Sequence, residues 1–300
     1  MPMTKTRFGF VAIIGAPNAG KSTLVNTLVG AKVTIVSHKV QTTRMPIRGI
    51  VMEGDSQIVL VDTPGIFRPR RRLDRAMVGA AWNGAKDADA VVLLVDAARN
   101  DDASTDIARG LGEVRVPRIL ALNKIDKVKK EALLERAASL NAAVTFDATF
   151  MISALDGSGV DAMKRHLAAT VPEGQWHFPA DDLTDLPLRM LAAEITREGI
   201  YARLHEELPY AATVETTAWQ DMGGKGVRIE QTIFVERDSQ RSIVLGKGGR
   251  TIKQISMGAR EQMAAIVERP VHLFLHVKVM EGWENDPARY REMGLEFPQD

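Results

Sequence analysis

Short apolar runs and helix-period stretches take turns along the first half of the chain. Phe8 to Gly15 reads as a buried strand running straight into a glycine-bearing turn and a helix from about Lys21 to Val29. Ile47 to Glu53 and Gln57 to Asp62 read as two strands joined at Gly54-Asp55, a turn short enough to make them antiparallel. Ala90 to Asp96, Arg118 to Asn123 and Ala148 to Ser153 are further buried strands, with helical periodicity near Thr105 to Leu111 and Lys130 to Leu140 between them. Asp161 to Thr170 reads as the closing helix, stopped by Pro172. This alternation predicts an α/β domain: a mostly parallel sheet with one antiparallel strand, covered by helices on both faces.

The pattern then changes. Gly174 to Pro187 is polar and carries two prolines and three aspartates, so it reads as a linker (174–187) between domains at 1–173 and 188–300. Beyond it, Leu188 to Glu207 is helical. Ala211 to Trp219 and Val227 to Val235 flank Gly223-Gly224 as a hairpin. A short helix, a glycine loop at Gly246 to Gly249 and a longer helix to about Glu268 follow. Val271 to Val279 alternates strictly, with Val271, Leu273, Leu275, Val277 and Val279 on one face and His272, Phe274, His276 and Lys278 on the other. The order is α-β-β-α-α-β, an α+β unit.

Composition narrows the chemistry. Of 300 residues, 45% are apolar and 26% charged, enough to bury a real core. The net charge is only +1, so any nucleic-acid binding must come from a local patch. There is no cysteine, which excludes disulfides, thiolate metal sites and a thiol nucleophile, and suits a reducing cytosol. Met1 to Arg7 is too short for a signal peptide, and the longest apolar runs are strand-sized. The six histidines show no metal-ligand spacing, no Ser-His-Asp grouping stands out, and the thirteen methionines read as core filler.

Gly15-Ala16-Pro17-Asn18-Ala19-Gly20-Lys21-Ser22, followed by Thr23, fits the phosphate-loop pattern without a mismatch, and it lies between a buried strand and a helix as that chemistry requires. Backbone N–H groups there converge on phosphate oxygens. Lys21 would reach the β- and γ-phosphates and the Ser22 hydroxyl would ligate Mg²⁺. Asp62-Thr63-Pro64-Gly65 ends the third strand; Asp62 can hold the metal through water, and the Gly65 N–H can meet the γ-phosphate. Asn123-Lys124-Ile125-Asp126 ends another strand. A carboxylate at Asp126 accepts from two donors that guanine has and adenine lacks, and the Lys124 stem can cover the base. Ser153-Ala154-Leu155 would offer a backbone N–H to the guanine oxygen. In this order the motifs select GTP over ATP.

These motifs, with Gln41-Thr42-Thr43-Arg44, resemble the Era-type branch of the translation-factor-related GTPases across residues 15 to 155. The resemblance implies that Thr43 closes on Mg²⁺ when GTP is bound, with Thr42 as the alternative. Ras-like enzymes place a water-orienting glutamine after the DxxG glycine; here Ile66 stands there, which predicts slow intrinsic hydrolysis. Asn18 resembles an asparagine that binds K⁺ in related GTPases, and a loop-stabilising role is the alternative. Lys21, Thr43, Gly65 and Asn18 are therefore the candidate catalytic set. Arg68, Arg70, Arg71 and Arg72 lie in the expected second switch, as a partner-facing or merely solvated basic face.

The second half carries Val244-Leu245, the Gly246-Lys247-Gly248-Gly249 loop, and a helix with Ile252 and Ile255. This is the pattern of a type II KH domain, whose loop clamps about four nucleotides. Arg241, Lys247, Arg250, Lys253 and Arg260 surround it, and Asp238 is the one acid between Arg237 and Arg260. Ile252 and Ile255 would line a base groove or simply fill the core. His276 and Lys278 face either that groove or solvent. The family resemblance, which extends to Gly282-Trp283 and Pro287 to Phe297, implies binding to the 3′ end of 16S rRNA, a role in maturing the 30S subunit, and a cytoplasmic location with peripheral contact at the cell membrane.

Overall fold

The computed structural model describes residues 5–99, 101–205 and 207–299. The leader reading of Met1 to Arg7 therefore lies, up to residue 4, outside the described residues. The chain divides into two compact units: residues 1–34, 43–185 and 290–300 in the first, and 35–42 and 186–289 in the second.

The first unit is built on a six-stranded sheet. Its strands are β1 (Arg7–Ile14), β2 (Ile47–Glu53), β3 (Ser56–Asp62), β4 (Ala90–Asp96), β5 (Arg118–Asn123) and β6 (Ala148–Met151), in the order β2-β3-β1-β4-β5-β6. Only β2 runs antiparallel, paired with β3. Alternate residues of each strand feed opposite cores, as a two-residue period requires. Val11, Ile13, Val92 and Leu94 meet α1 (Lys21–Val29) and α5 (Val160–Thr170) on one face. Ala12, Ile14, Val91, Leu93 and Val95 meet α2 (Arg72–Asp87), α3 (Asp102–Gly110) and α4 (Lys130–Ala143) on the other.

Helix α2 has no counterpart in the sequence reading. Its buried face is Leu73, Ala76, Met77, Ala81 and Ala85, which recur at helical spacing. The segment after Pro172 also differs from a free linker. Gly174 N–H donates to Thr6 O at 3.0 Å, and the buried Gln57 amide accepts from His177 and Phe178 N–H and donates to Phe178 O. Ile50 N–H donates to Leu183 O at 2.9 Å, so the segment covers the edge strand β2.

The second unit is a three-stranded sheet, β7 (Ala212–Asp221), β8 (Val227–Val235) and β9 (Val271–Val279), in that order, with β9 parallel to β8. Helices α6 (Leu188–Arg203), α7 (Asp238–Leu245) and α8 (Arg250–Val267) pack on one face through Leu191, Ile195, Ile200, Val244, Ile255 and Met263. Leu273, Leu275 and Val277 face those helices, while His272, Phe274, His276 and Lys278 are exposed; the latter form an open sheet face. Beyond β9, Trp283 is buried and its Nε1–H donates to Ala211 O at 3.0 Å. A short helix α9 (Pro287–Glu292) follows. The C-terminal residues from Tyr290 on pack in the first unit, where Phe297 stacks edge-on to Tyr290 and lies under the Arg72 guanidinium.

Candidate functional site

Strand β1 sits between β3 and β4, where connections leave to either side, so a crevice opens at its carboxyl end. The loop Gly15 to Ser22 occupies that point and leads into α1. Gly20 is the N-cap with φ 100°, and a Cβ there would lie 2.4 Å from Asn123 Nδ2. No side chain caps the α1 N–H groups, which leaves them for an anion. Lys21 is buried beside them and its Nζ donates to Gly15 O at 3.1 Å and Ala16 O at 3.0 Å. Burial pulls its pKa down to about 8, against the opposing pull of the Asp62 charge.

Four side chains converge next to that lysine. Ser22 Oγ donates to Asp62 Oδ2 at 2.7 Å and lies 2.9 Å from Thr43 Oγ1. Thr43 and Thr34 hydroxyls donate to the same carboxylate oxygen at 3.2 and 2.9 Å. Asp62 is fully buried, and burial pushes its pKa up while these hydroxyls pull it back. Its second oxygen, Oδ1, is buried with no hydrogen-bond partner among the described residues. An orphaned buried carboxylate oxygen beside two hydroxyls is a set of hard oxygen donors suited to Mg²⁺ completed by phosphates and water. Thr42 is turned elsewhere: its hydroxyl donates to Lys39 O at 2.7 Å.

The loop after Asp62 lies on the phosphate loop. Thr63 is buried and its hydroxyl donates to Ile13 O; a Cβ on Gly65 would sit 3.0 Å from Pro17; Ile66 N–H donates to Gly15 O at 3.0 Å. Pro64 is buried. The Ile66 side chain belongs to the core, so nothing at that position can hold a water. Arg68, Arg70 and Arg71 are exposed, and the Arg70 and Arg71 N–H groups both donate to Asp74 at 3.0 Å, which fixes the entry to α2.

Asn123 ties three loops together. Its amide donates to Ala19 O at 2.8 Å and accepts from Ala154 N–H at 2.9 Å. Lys124 stands at φ 66°, with Nζ on Asn18 O at 2.9 Å and Asp96 at 2.7 Å, which lays its stem across the loop mouth. Asn18 itself is at φ 65°. Asp126 is exposed, and Leu155 is 83% exposed in the loop after β6. Ser153 is buried. Gly15 to Thr23, Asp62 to Gly65, Asn123 to Asp126 and Ser153 to Leu155 thus lie at the carboxyl ends of β1, β3, β5 and β6.

The comparisons with known proteins agree with this arrangement. Residues 10–124 match the family model for "50S ribosome-binding GTPase", and residues 207–284 match the KH domain model. The chain is 61% identical to GTPase Era of Rhizobium meliloti over 98% of its own length and 94% of that protein's. It is 63% identical to GTPase Era of Afipia carboxidovorans over 98% of the chain and 96% of that protein. The chain belongs to the GTPase Era family. Among solved structures, it is similar to Era in complex with MgGDPNP and nucleotides 1506–1542 of 16S ribosomal RNA, with a TM-score of 0.91 and 35% identity, covering 96% of this chain and 99% of that one. Aquifex aeolicus Era bound to GDP and AlF4⁻ gives the same TM-score and coverage.

The second Era-type element is the KH loop. Gly246, Gly248 and Gly249 have φ of 70°, 63° and 76°, so the chain turns tightly between α7 and α8 with Lys247 exposed at the tip. Arg241, Arg250, Lys253 and Arg260 are exposed around it. The two isoleucines divide: Ile255 is core, while Ile252 is partly exposed. Ile243 and Met257, on α7 and α8, are 54% and 52% exposed and were not singled out by sequence. Each is an apolar residue off the buried stripe of an amphipathic helix, and that was the available signal.

Proposed function

We propose that the chain binds and hydrolyses GTP at the β1 loop and binds the 3′ end of 16S rRNA through its KH unit, acting in 30S subunit assembly. The observation that carries the first half is the meeting of Lys21, Ser22, Thr43 and the half-partnered Asp62 at the mouth of α1. Bound there, Mg²⁺ would neutralise charge on the β- and γ-phosphates. Lys21 and the N–H groups of residues 18–22 hold those phosphates, and Gly65 N–H orients the terminal one. Asp126 reads the guanine edge, the Lys124 stem covers its face, and the loop of Ser153, Ala154 and Leu155 closes behind it. Water then attacks the γ-phosphorus, the bond to the bridging oxygen breaks, and GDP, phosphate and a proton result. Ile66 supplies no help in orienting that water, so intrinsic turnover is slow.

For the second half, Arg241, Lys247, Arg250 and Lys253 neutralise the RNA backbone. Gly246, Gly248 and Gly249 let it approach, and Ile252 contacts the bases. The relative solved with a 16S rRNA fragment supports this reading. K⁺ is the proposed second cation, held by Asn18; equal turnover in KCl and NaCl would remove it from the scheme. The proposed setting is the cytoplasm. Peripheral membrane contact rests on the family resemblance alone, and among the described residues no helix is long and apolar enough to cross a membrane. The test of the whole reading is release of the protein from 30S particles. A hydrolysing switch leaves with GTP and stays with a non-hydrolysable analogue, whereas an RNA-binding factor with incidental turnover behaves alike with both.

A further inference from the structure

Helix α1 ends at Gly30, whose φ of 78° lets the chain turn back toward Asn26. Asn26 grips the returning backbone. Its Oδ1 accepts from Val33 N–H at 2.9 Å and Thr34 N–H at 3.0 Å, and its Nδ2–H donates to Thr34 O at 2.9 Å. One side chain of α1 thus takes both polar groups of the Thr34 backbone. The Thr34 hydroxyl donates to Asp62 Oδ2 at 2.9 Å, and both residues are fully buried. All of them belong to the first unit. Asn26 stands four residues after Ser22 on α1, so one helix carries both a hydroxyl of the site and the clamp on Thr34.

Three hydroxyls meet that one carboxylate oxygen, and two of them have other work. Ser22 and Thr43 are the groups assigned to Mg²⁺, so their bonds to Asp62 must adjust as metal and nucleotide come and go. Thr34 belongs to none of the sequence motifs and has no bond to the metal assigned to it. Its backbone is fixed by Asn26 and its hydroxyl is out of reach of solvent, so it can serve Asp62 in the empty and the loaded site alike. A buried carboxylate left without a donor is costly.

We propose that Thr34, clamped by Asn26, is a positioning residue for Mg²⁺: its hydroxyl fixes Oδ2 of Asp62 and so keeps Oδ1 free for the water through which Asp62 holds the metal. The link is the carboxylate itself. Its two oxygens share one rigid plane, so a bond that anchors Oδ2 also sets where Oδ1 points. Oδ1 is the oxygen left buried with no hydrogen-bond partner among the described residues, as a group reserved for the metal's water would be. A bond to a metal-holding carboxylate from the side away from the metal orients it in the same way in other metal sites.

This deepens the proposed function and rests on its assignment of Asp62 to Mg²⁺. The test uses the full chain and a fluorescent GDP. GDP affinity is measured in excess EDTA, and Mg²⁺ affinity of the GDP complex by titrating the metal against the GDP release rate. The variants are Thr34→Val, Thr34→Ser, Asp62→Ala and the Thr34→Val/Asp62→Ala pair. Thr34→Val keeps the shape and loses the donor, and it should weaken Mg²⁺ binding on the order of 10-fold. GDP affinity in EDTA should hold. Thr34→Ser, which keeps the hydroxyl, should restore most of the Mg²⁺ affinity. On top of Asp62→Ala, Thr34→Val should cost nothing more, since both act through one carboxylate. Unchanged Mg²⁺ affinity in Thr34→Val, an equal loss in Thr34→Ser, an equally large loss of GDP affinity in EDTA, or full additivity in the pair overturns the proposal. If Thr34→Val does not fold, Asn26→Asp decides the matter. That change keeps the acceptor for the Val33 and Thr34 N–H groups but loses the donor to Thr34 O, so it should show a smaller loss of Mg²⁺ affinity; parent affinity there overturns the clamp. Parent Mg²⁺ affinity in Asp62→Ala instead removes the assignment of Asp62, and the proposal with it.

Discussion

At the scale of single residues, the nucleotide site buries a lysine and a carboxylate close together. Lys21 is held at a pKa of about 8 by burial, and Asp62 is raised for the same reason. Phosphate oxygens arriving beside Lys21 favour its charged form, so its pKa rises on binding. Below about pH 8 the ammonium is already present, and above it binding must take up a proton, so GDP affinity falls as pH rises past 8. Calorimetry at pH 8.5 in buffers of different ionisation enthalpy should register that uptake. A Lys21→Arg protein, if it binds at all, should lose it. In the proposed scheme base selection rests on Asp126, which is exposed. Asp126→Asn should cost GTP roughly 1.5–3 kcal/mol of binding, as loss of bonds to a charged acceptor does. It should also shift preference toward xanthosine triphosphate, checked by competition between the two nucleotides. The motifs that meet at the carboxyl ends of β1, β3, β5 and β6 were legible because fixed spacing carries them. The choice between Thr42 and Thr43 was not, because both neighbours satisfy the same pattern and only the backbone turn at Gln41 separates their directions.

Elements were legible where burial was two-sided or strictly alternating. All six strands of the first sheet and all three of the second were read from apolar runs, with ends misplaced by a residue or two. Helix α2 was missed although Leu73, Ala76, Met77, Ala81 and Ala85 recur at helical spacing, and α6 ends at Arg203 rather than continuing to Glu207, its last carbonyls taken by Lys39. Neither Ile252 nor Ile255 betrays in sequence which one turns inward, since a helix spacing of three leaves both near one face. The loop between α7 and α8 is the element whose function depends most on shape. No heavy atom lies within 4 Å of where a Cβ on Gly248 would stand, so Gly248→Asp has room, but the carboxylate would stand in the path of an RNA backbone. RNA affinity measured by filter binding should drop sharply while GTP affinity is untouched. Unchanged RNA affinity would contradict the clamp.

Across the whole molecule, charge and sequence order organise the work. A chain with net charge +1 has between Arg237 and Arg260 a stretch with Asp238 as its one acid, so the proposed RNA binding should be local and salt-sensitive rather than a property of the surface at large. The sequence changes pattern after Pro172, and the structure separates the two units after Asp185. Residues 35–42 and 290–300 were not assignable that way, since each packs with the unit that lies farther away in the sequence and no local signal marks it. Everything downstream depends on guanine nucleotide being held at the end of β1. Equilibrium dialysis of GTP against the full chain with Mg²⁺ tests this most directly. The account predicts one site, displaced by GDP, ignored by ATP and lost in Lys21→Ala. Retention of no GTP, or displacement by ATP as readily as by GDP, would contradict it.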